Sequence, residues 1–265
     1  MPRRTSALPD AVFLILLSVI FTFGVAGLRA EARAQERGST QNPPPYRGTF
    51  SVMEGVFVTP VPNVPLTAIV EMQSVQTLED GSTETKTSFH TIARDSQGRI
   101  YNELRTMVPA KSNEQPELIS FHIFDPTTRL NTFLILQTHL AHQSVSPPRT
   151  QFPPPYGVGA NANINRPDFQ QEDLGTDSME NVAVHGVRKT RILPARASGT
   201  GKPVIVTDEY WYSDELRLNM LVKHDDPRSG HQTVTITQVN RSEPEETLFE
   251  IPADYRIVDE TPARK

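Results

Sequence analysis

Apolar and polar residues alternate with a period of two along most of the chain from Ala68 to Arg241, the spacing of strands that bury one face more than the other. Ala68, Val70 and Met72 alternate with Ile69, Glu71 and Gln73. Asp80-Gly81 supplies turn chemistry, and Thr83 to Ala93 returns as a strand rich in β-branched threonine. A second turn at Asp95-Ser96-Gln97-Gly98 leads to Arg99 to Met107, which completes a three-stranded meander.

The next pair, Leu118 to Phe124 and Leu130 to Leu140, flanks Asp125-Pro126-Thr127-Thr128. Proline presets that turn and aspartate can accept from its backbone. Apolar residues here occupy both strand faces: Ile119, Phe121, Ile123 and Phe124 on one side of the turn, Phe133, Leu134, Ile135 and Leu136 on the other. Both faces therefore need cover, one from a second layer and the other as the lining of a concave interior.

Strand patterns resume over Val182 to Leu193, Val204 to Tyr212, Leu216 to His224 and Gln232 to Arg241, separated by Gly-, Pro- and Asp-rich turns. A short helical turn is expected near Glu243 to Phe249, with Ser242 as its cap and Pro244 in its first turn. The expectation is a mainly β fold of nine or ten strands in one antiparallel domain over residues 46–258, with few short helices.

The ends of the chain read differently. Arg3 and Arg4, an apolar run from Ala11 to Leu28, and the small residues Ala32 and Ala34 around Arg33 match a secretory signal over residues 1–34, cleaved after Ala34. The 18-residue run is at the short edge of what spans a bilayer, and the small residues favour cleavage over an uncleaved anchor. The arginine pair also raises twin-arginine export, although no bulky apolar residue follows it. Residues 35–45 read as a polar, Pro-rich disordered tether, 147–173 as a long Pro-rich loop, and 259–265 as a disordered tail. Pro-Pro-Pro-Tyr occurs twice, ending at Tyr46 and Tyr156, and reads as extended connector.

The chain has no cysteine, which excludes disulfides, thiolate metal sites and a lipid-modified N-terminal cysteine. Loss of residues 1–34 leaves 22 basic against 29 acidic residues, so the formal charge moves from -5 to -7. Such acidity argues against nucleic acid or anionic headgroups as the main partner, and no membrane span is expected after cleavage.

No nucleophile elbow, phosphate-binding glycine loop or zinc-protease motif is present. His139 and His142 stand three apart, on opposite faces of a strand. His224, Asp225, Asp226 and His231 gather at a turn, where ordinary turn chemistry accounts for them better than a metal. On a strand Tyr210 and Tyr212 point one way and Trp211 the other, as core packing requires. These residues imply no enzyme, no cofactor and no metal.

Four phrases taken together carry a resemblance: Arg94-Asp95-Ser96-Gln97-Gly98-Arg99, Glu209-Tyr210-Trp211-Tyr212-Ser213, Asp226-Pro227-Arg228-Ser229-Gly230, and Glu243-Pro244 leading to Leu248-Phe249-Glu250-Ile251-Pro252-Ala253-Asp254-Tyr255. They resemble an uncharacterised family of exported proteins of acidobacterial type, over roughly residues 66–258. Lys189 stands where that pattern has glycine. More distantly, the layout is similar to periplasmic lipoprotein carriers and sensors of the LolA, LolB and RseB type. That resemblance implies a strongly curved half-barrel sheet with an apolar concave face, and it places Phe121, Ile123, Phe133 and Ile135 on a ligand face. The expected function is a noncatalytic periplasmic binding protein for an apolar ligand, a lipid or lipoprotein. The alternative is a structural or protein-interaction module of the cell envelope, binding an envelope protein through the Pro-rich loops.

Overall fold

The structure, a computed structural model, describes residues 58–78, 80–148 and 164–261. The expected signal, its cleavage point at Ala34, the tether and residues 149–163 of the Pro-rich stretch lie outside the described residues.

The strands are β1 (Leu66–Thr77), β2 (Thr83–Arg94), β3 (Ile100–Arg105), β4 (Val108–Pro109), β5 (Leu118–Asp125), β6 (Leu130–Ile135), β7 (Leu140–Val145), β8 (Ile164–Arg166), β9 (Phe169–Met179), β10 (Val182–Leu193), β11 (Val204–Ser213), β12 (Leu218–Asp226), β13 (Gly230–Asn240) and β14 (Arg256–Asp259). They form one sheet in the order β14-β7-β6-β5-β3-β2-β1-β13-β12-β11-β10-β9-β8, with β4 beside β2. Among the described residues β14 pairs only with β7 and β8 only with β9, so the sheet is not closed.

Turn chemistry sets the meander. Asp80 Oδ1 accepts from the Ser82 amide at 2.9 Å, Asp125 Oδ1 from the Thr127 amide at 2.7 Å and Asp226 Oδ1 from the Arg228 amide at 3.0 Å. At the β12–β13 turn Gly230 has φ +97°, and a Cβ there would sit 2.0 Å from the Val75 carbonyl oxygen, so only glycine fits.

Four expectations need correction. The sheet is mixed, not purely antiparallel, because β14 pairs with β7 in parallel. The two parallel strands are joined by all of β8 to β13, and residues 241–255 carry the chain from β13 back to β14 beside β7. The strand expected over 130–140 breaks into β6, a 3₁₀ turn at Leu136–Thr138 and β7, with His139 in the left-handed region at φ 48°. The stretch expected to remain loop up to 173 is strand from Ile164 onward. The turn near Phe249 is a 3₁₀ turn, Glu246–Phe249, entered at Glu245 with no side-chain cap, so Ser242 does not cap it.

Two apolar clusters form on opposite faces of this sheet. The larger gathers Leu66, Ala68, Val70 and Met72 of β1 with Ile92, Val222, Val234 and Ile236, and reaches Ile100 and Phe124. We call this side face A. Cross-strand register fixes it: Ala68 lies opposite Ile92, Met72 opposite Val234, and Ile100 opposite Phe124. Burying the larger of these side chains is worth roughly 1.5–3 kcal/mol each, and the methyl of Ala68 less than about 1 kcal/mol.

Arg94 shares face A, directly opposite Leu66, and is fully buried. Its guanidinium donates to the carbonyls of Val64 (2.7 Å), Thr59 (2.8 Å) and Leu216 (2.8 Å). Burial lowers its pKa to about 10, which still leaves it charged at neutral pH. One side chain thus ties the segment before β1 and the β11–β12 turn to β2.

Candidate functional site

The expected ligand-face residues lie on the β5–β6 hairpin, and its register divides them. Asp125 pairs with Leu130 across a four-residue loop, so Phe121 lies opposite Leu134, Ile123 opposite Thr132, and His122 opposite Phe133. Paired residues share a face and successive residues alternate. Phe121 and Ile123 therefore occupy one face, which we call face B, while Phe133 and Ile135 occupy face A. The four do not form one surface, because even positions of β6 pair with odd positions of β5.

Face B is closed by the protein itself. Ala93, Tyr101, Ile123, Leu134 and Ala141 form a cluster with Phe249, and Phe121, Leu248, Ile251 and Tyr255 pack around it. The phrase from Leu248 to Tyr255 is thus an apolar strap laid across β3, β5, β6 and β7. Phe121 meets Tyr101 at 5.5 Å and Tyr255 at 6.4 Å between ring centroids. Arg99 pins the strap: it pairs with Asp95, makes two 2.7 Å bonds to Glu246, and sits 4.7 Å over the Phe249 ring. At the strap's far end His139 meets Asp254, and His142 meets Glu260, each at 2.7 Å.

Face A of the same strands is built differently. Leu104 lies opposite Ser120, which lies opposite Ile135, which lies opposite Leu140. The adjacent row runs through Asn102, His122, Phe133 and His142. Leu104, His122, Phe133, Ile135 and Leu140 are all half-buried, and among the described residues Phe133, Ile135 and Leu140 belong to neither core cluster. His122 and Phe133 stack at 4.2 Å and 13°. Burial pushes the His122 pKa down to about 4, against an opposing hydrogen bond with Asn131, so the imidazole is neutral at pH 7. The result is an apolar wall with neutral polar atoms in it. His122 and Leu140 were missed in the sequence: counting the four loop residues 126–129 places His122 beside Phe133, whereas Leu140 comes beside Ile135 only through the unforeseen turn at 136–139.

The remaining singled-out residues separate. His224 and Asp226 lie on face A and Asp225 and His231 on face B, by alternation along β12 and the pairing of Asp225 with His231. His224 bonds Asp208 at 2.6 Å, and Asp226 is held by Arg228. Among the described residues no group of three or more His, Cys, Asp or Glu side chains is placed to hold a metal. Trp211 lies over Gly186, where an added Cβ would come within 2.8 Å of the indole, and donates to Glu209 Oε1 at 2.9 Å. Lys189 sits inside β10 opposite Asp208, in regular strand.

No protein-family model matches the chain. No curated protein matches it either. Among solved structures, the chain is similar to an uncharacterized conserved protein from Thermus thermophilus, at 10% identity and TM-score 0.38, over 74% of this chain and 91% of that one. It is similar to the Pseudomonas aeruginosa MucA/MucB complex at 9% identity and TM-score 0.36, over 73% of this chain and 58% of the matched chain. A LolA superfamily protein from Nitrosomonas europaea matches at 12% identity and TM-score 0.29, over 72% of this chain and 91% of that one.

Proposed function

We propose that the protein is a noncatalytic binding protein of the bacterial cell envelope, exported by residues 1–34, cleaved after Ala34, and built to hold an apolar chain such as the acyl part of a lipid or lipoprotein. Phe133 and Ile135, with Leu104 and Leu140, are the wall that chain lies against. One observation carries this reading. The same hairpin has its face B packed under the strap, while on face A Phe133, Ile135 and Leu140 are half-buried and, among the described residues, lie outside both core clusters. Half-buried apolar side chains gain from further covering, and a ligand chain supplies it. Neutral His122 suits that setting, since a charge beside an acyl chain would be costly. Phe121 and Ile123 belong to the strap's core and take no part.

Fluorescence of 1-N-phenylnaphthylamine tests the reading. Emission rises on addition of the protein, and Phe133→Ser with Ile135→Ser removes most of the rise. Phe89→Ser, an exposed position of β2 outside the wall, leaves it intact. Equal emission from all three proteins contradicts the assignment.

A further inference from the structure

We propose that face B of β11, β12 and β13 carries a second site, independent of the apolar wall, that takes a neutral polyhydroxylated ring: one pyranose unit of a saccharide. Its floor is Glu209, which is 9% exposed. Glu209 Oε1 accepts from Trp211 Nε1 (2.9 Å) and Lys223 Nζ (3.2 Å), and Oε2 accepts from Arg188 Nη2 (2.9 Å) and Nε (3.3 Å). Burial alone would raise this carboxyl, but the hydrogen bonds from Trp211, Arg188 and Lys223 outweigh it and hold it below its ordinary value.

At this hub a half-open cleft of about 260 Å³ is lined by Glu209, Thr207, Lys223, Asp225, His231 and Thr233, and is bordered by His224 of β12 and Gln232 of β13. Register puts the other five lining side chains on the face of Glu209: Thr207 lies opposite Asp225, Asp225 opposite His231, Glu209 opposite Lys223, and Lys223 opposite Thr233.

Three properties select the ligand class. Each carboxylate of the lining already faces a partner, with Lys223 Nζ 3.2 Å from Glu209 Oε1 and His231 Nδ1 3.1 Å from Asp225 Oδ1, so neither stands open to a cation. Donors and acceptors alternate between strands about 4.8 Å apart, and the threonine hydroxyls can serve as either, which suits a ring that carries hydroxyls around its edge. The volume falls below the range of about 300–1,000 Å³ for drug-sized ligands and suits one sugar ring. Trp211 stands two residues from Glu209 on the same face, in hydrogen-bond contact with it.

Trp211 is the chain's single tryptophan, so its emission reports on the hub directly. The full-length protein is titrated with N-acetylglucosamine and with its linear trimer. A saturable shift in Trp211 emission is expected. In Thr207→Val with Thr233→Val, which keeps the side-chain shape and removes both hydroxyls, the apparent affinity falls by at least about tenfold. A trimer that binds more tightly than the monomer identifies the source as a glycan chain, whereas equal affinity per ring identifies a free sugar. Absence of any shift with either probe, or identical titrations from the wild type and the equally stable double variant, overturns the proposal. Phenylnaphthylamine binding at the wall is unaffected in either case, which keeps the two sites separable.

Discussion

The Arg94 guanidinium donates to the backbone carbonyl of Leu216 across 122 residues of sequence, at 2.8 Å and with no exposure to solvent. The same group holds Val64 and Thr59. Replacement by methionine keeps the packing volume but leaves three carbonyls without their donor. At about 1–3 kcal/mol for each of three buried carbonyls left unpaired, offset in part by relief of the guanidinium's own burial cost, Arg94→Met is expected to lower stability by roughly 3–5 kcal/mol. Urea unfolding checks this, and a loss under about 1 kcal/mol contradicts the anchoring role.

The strap is expected to behave as one unit with the β2–β3 turn. Phe249→Ala removes a buried ring and should cost about 3 kcal/mol. Arg99→Ala removes the partner of Asp95 and Glu246 and the cation over Phe249. The double variant should be less unstable than the two single losses added together, by about 0.5–1 kcal/mol for the cation–π contact. Strict additivity in a denaturant cycle would show that Arg99 does not act on Phe249.

Gly186 is a space requirement. A Cβ there would approach the Trp211 ring to 2.8 Å and the Leu174 Cβ to 2.9 Å. Gly186→Ala should lift the indole, break its bond to Glu209, and destabilise the fold by about 1–3 kcal/mol. A red-shifted Trp211 emission is the accompanying signal, and an unchanged spectrum with unchanged stability refutes the close contact.

Acid should weaken the protein before its carboxylates are protonated. Burial lowers the pKa of His122 to about 4 and lowers that of His90. Unfolded imidazoles take up a proton near pH 6.5. Between about pH 6.5 and 4 the unfolded chain therefore binds more protons than the folded one, and stability falls as pH falls. For His122 the loss is at most about 3 kcal/mol. Asp226, held at about 2 chiefly by the Arg228 hydrogen bond, acts in a separate window: its contribution is present above its unfolded pKa and lost below about pH 4. His122→Gln should flatten the profile from pH 6.5 to 4, and a slope equal to the wild type's would assign the effect elsewhere.

Much of the sheet was legible because its turns are explicit. Asp80-Gly81, Asp95 to Gly98, Asp125 to Thr128 and Asp226 to Gly230 each mark a real reversal between strands. The strands that escaped notice lack such cues. β9 carries Gln170, Gln171, Glu172 and Asp173 where a buried strand would carry apolar residues, and β14 is four residues long with a partner more than a hundred positions away. The break between β6 and β7 falls at Gln137-Thr138-His139, which holds no glycine or proline to mark it, because His139 takes the left-handed position. The apolar nature of the hairpin was legible, but the face of each residue depended on cross-strand register. The strap's docking was illegible for the same reason: nothing local to Leu248 or Phe249 names Ile123 and Leu134 as their partners.

Native mass spectrometry of the protein, extracted gently from its own envelope, tests the central claim most directly. The account predicts a mass excess corresponding to a bound lipid or acyl chain in the wild type, reduced in Phe133→Ser with Ile135→Ser. A bare protein mass in repeated preparations, together with no gain in phenylnaphthylamine emission, contradicts it.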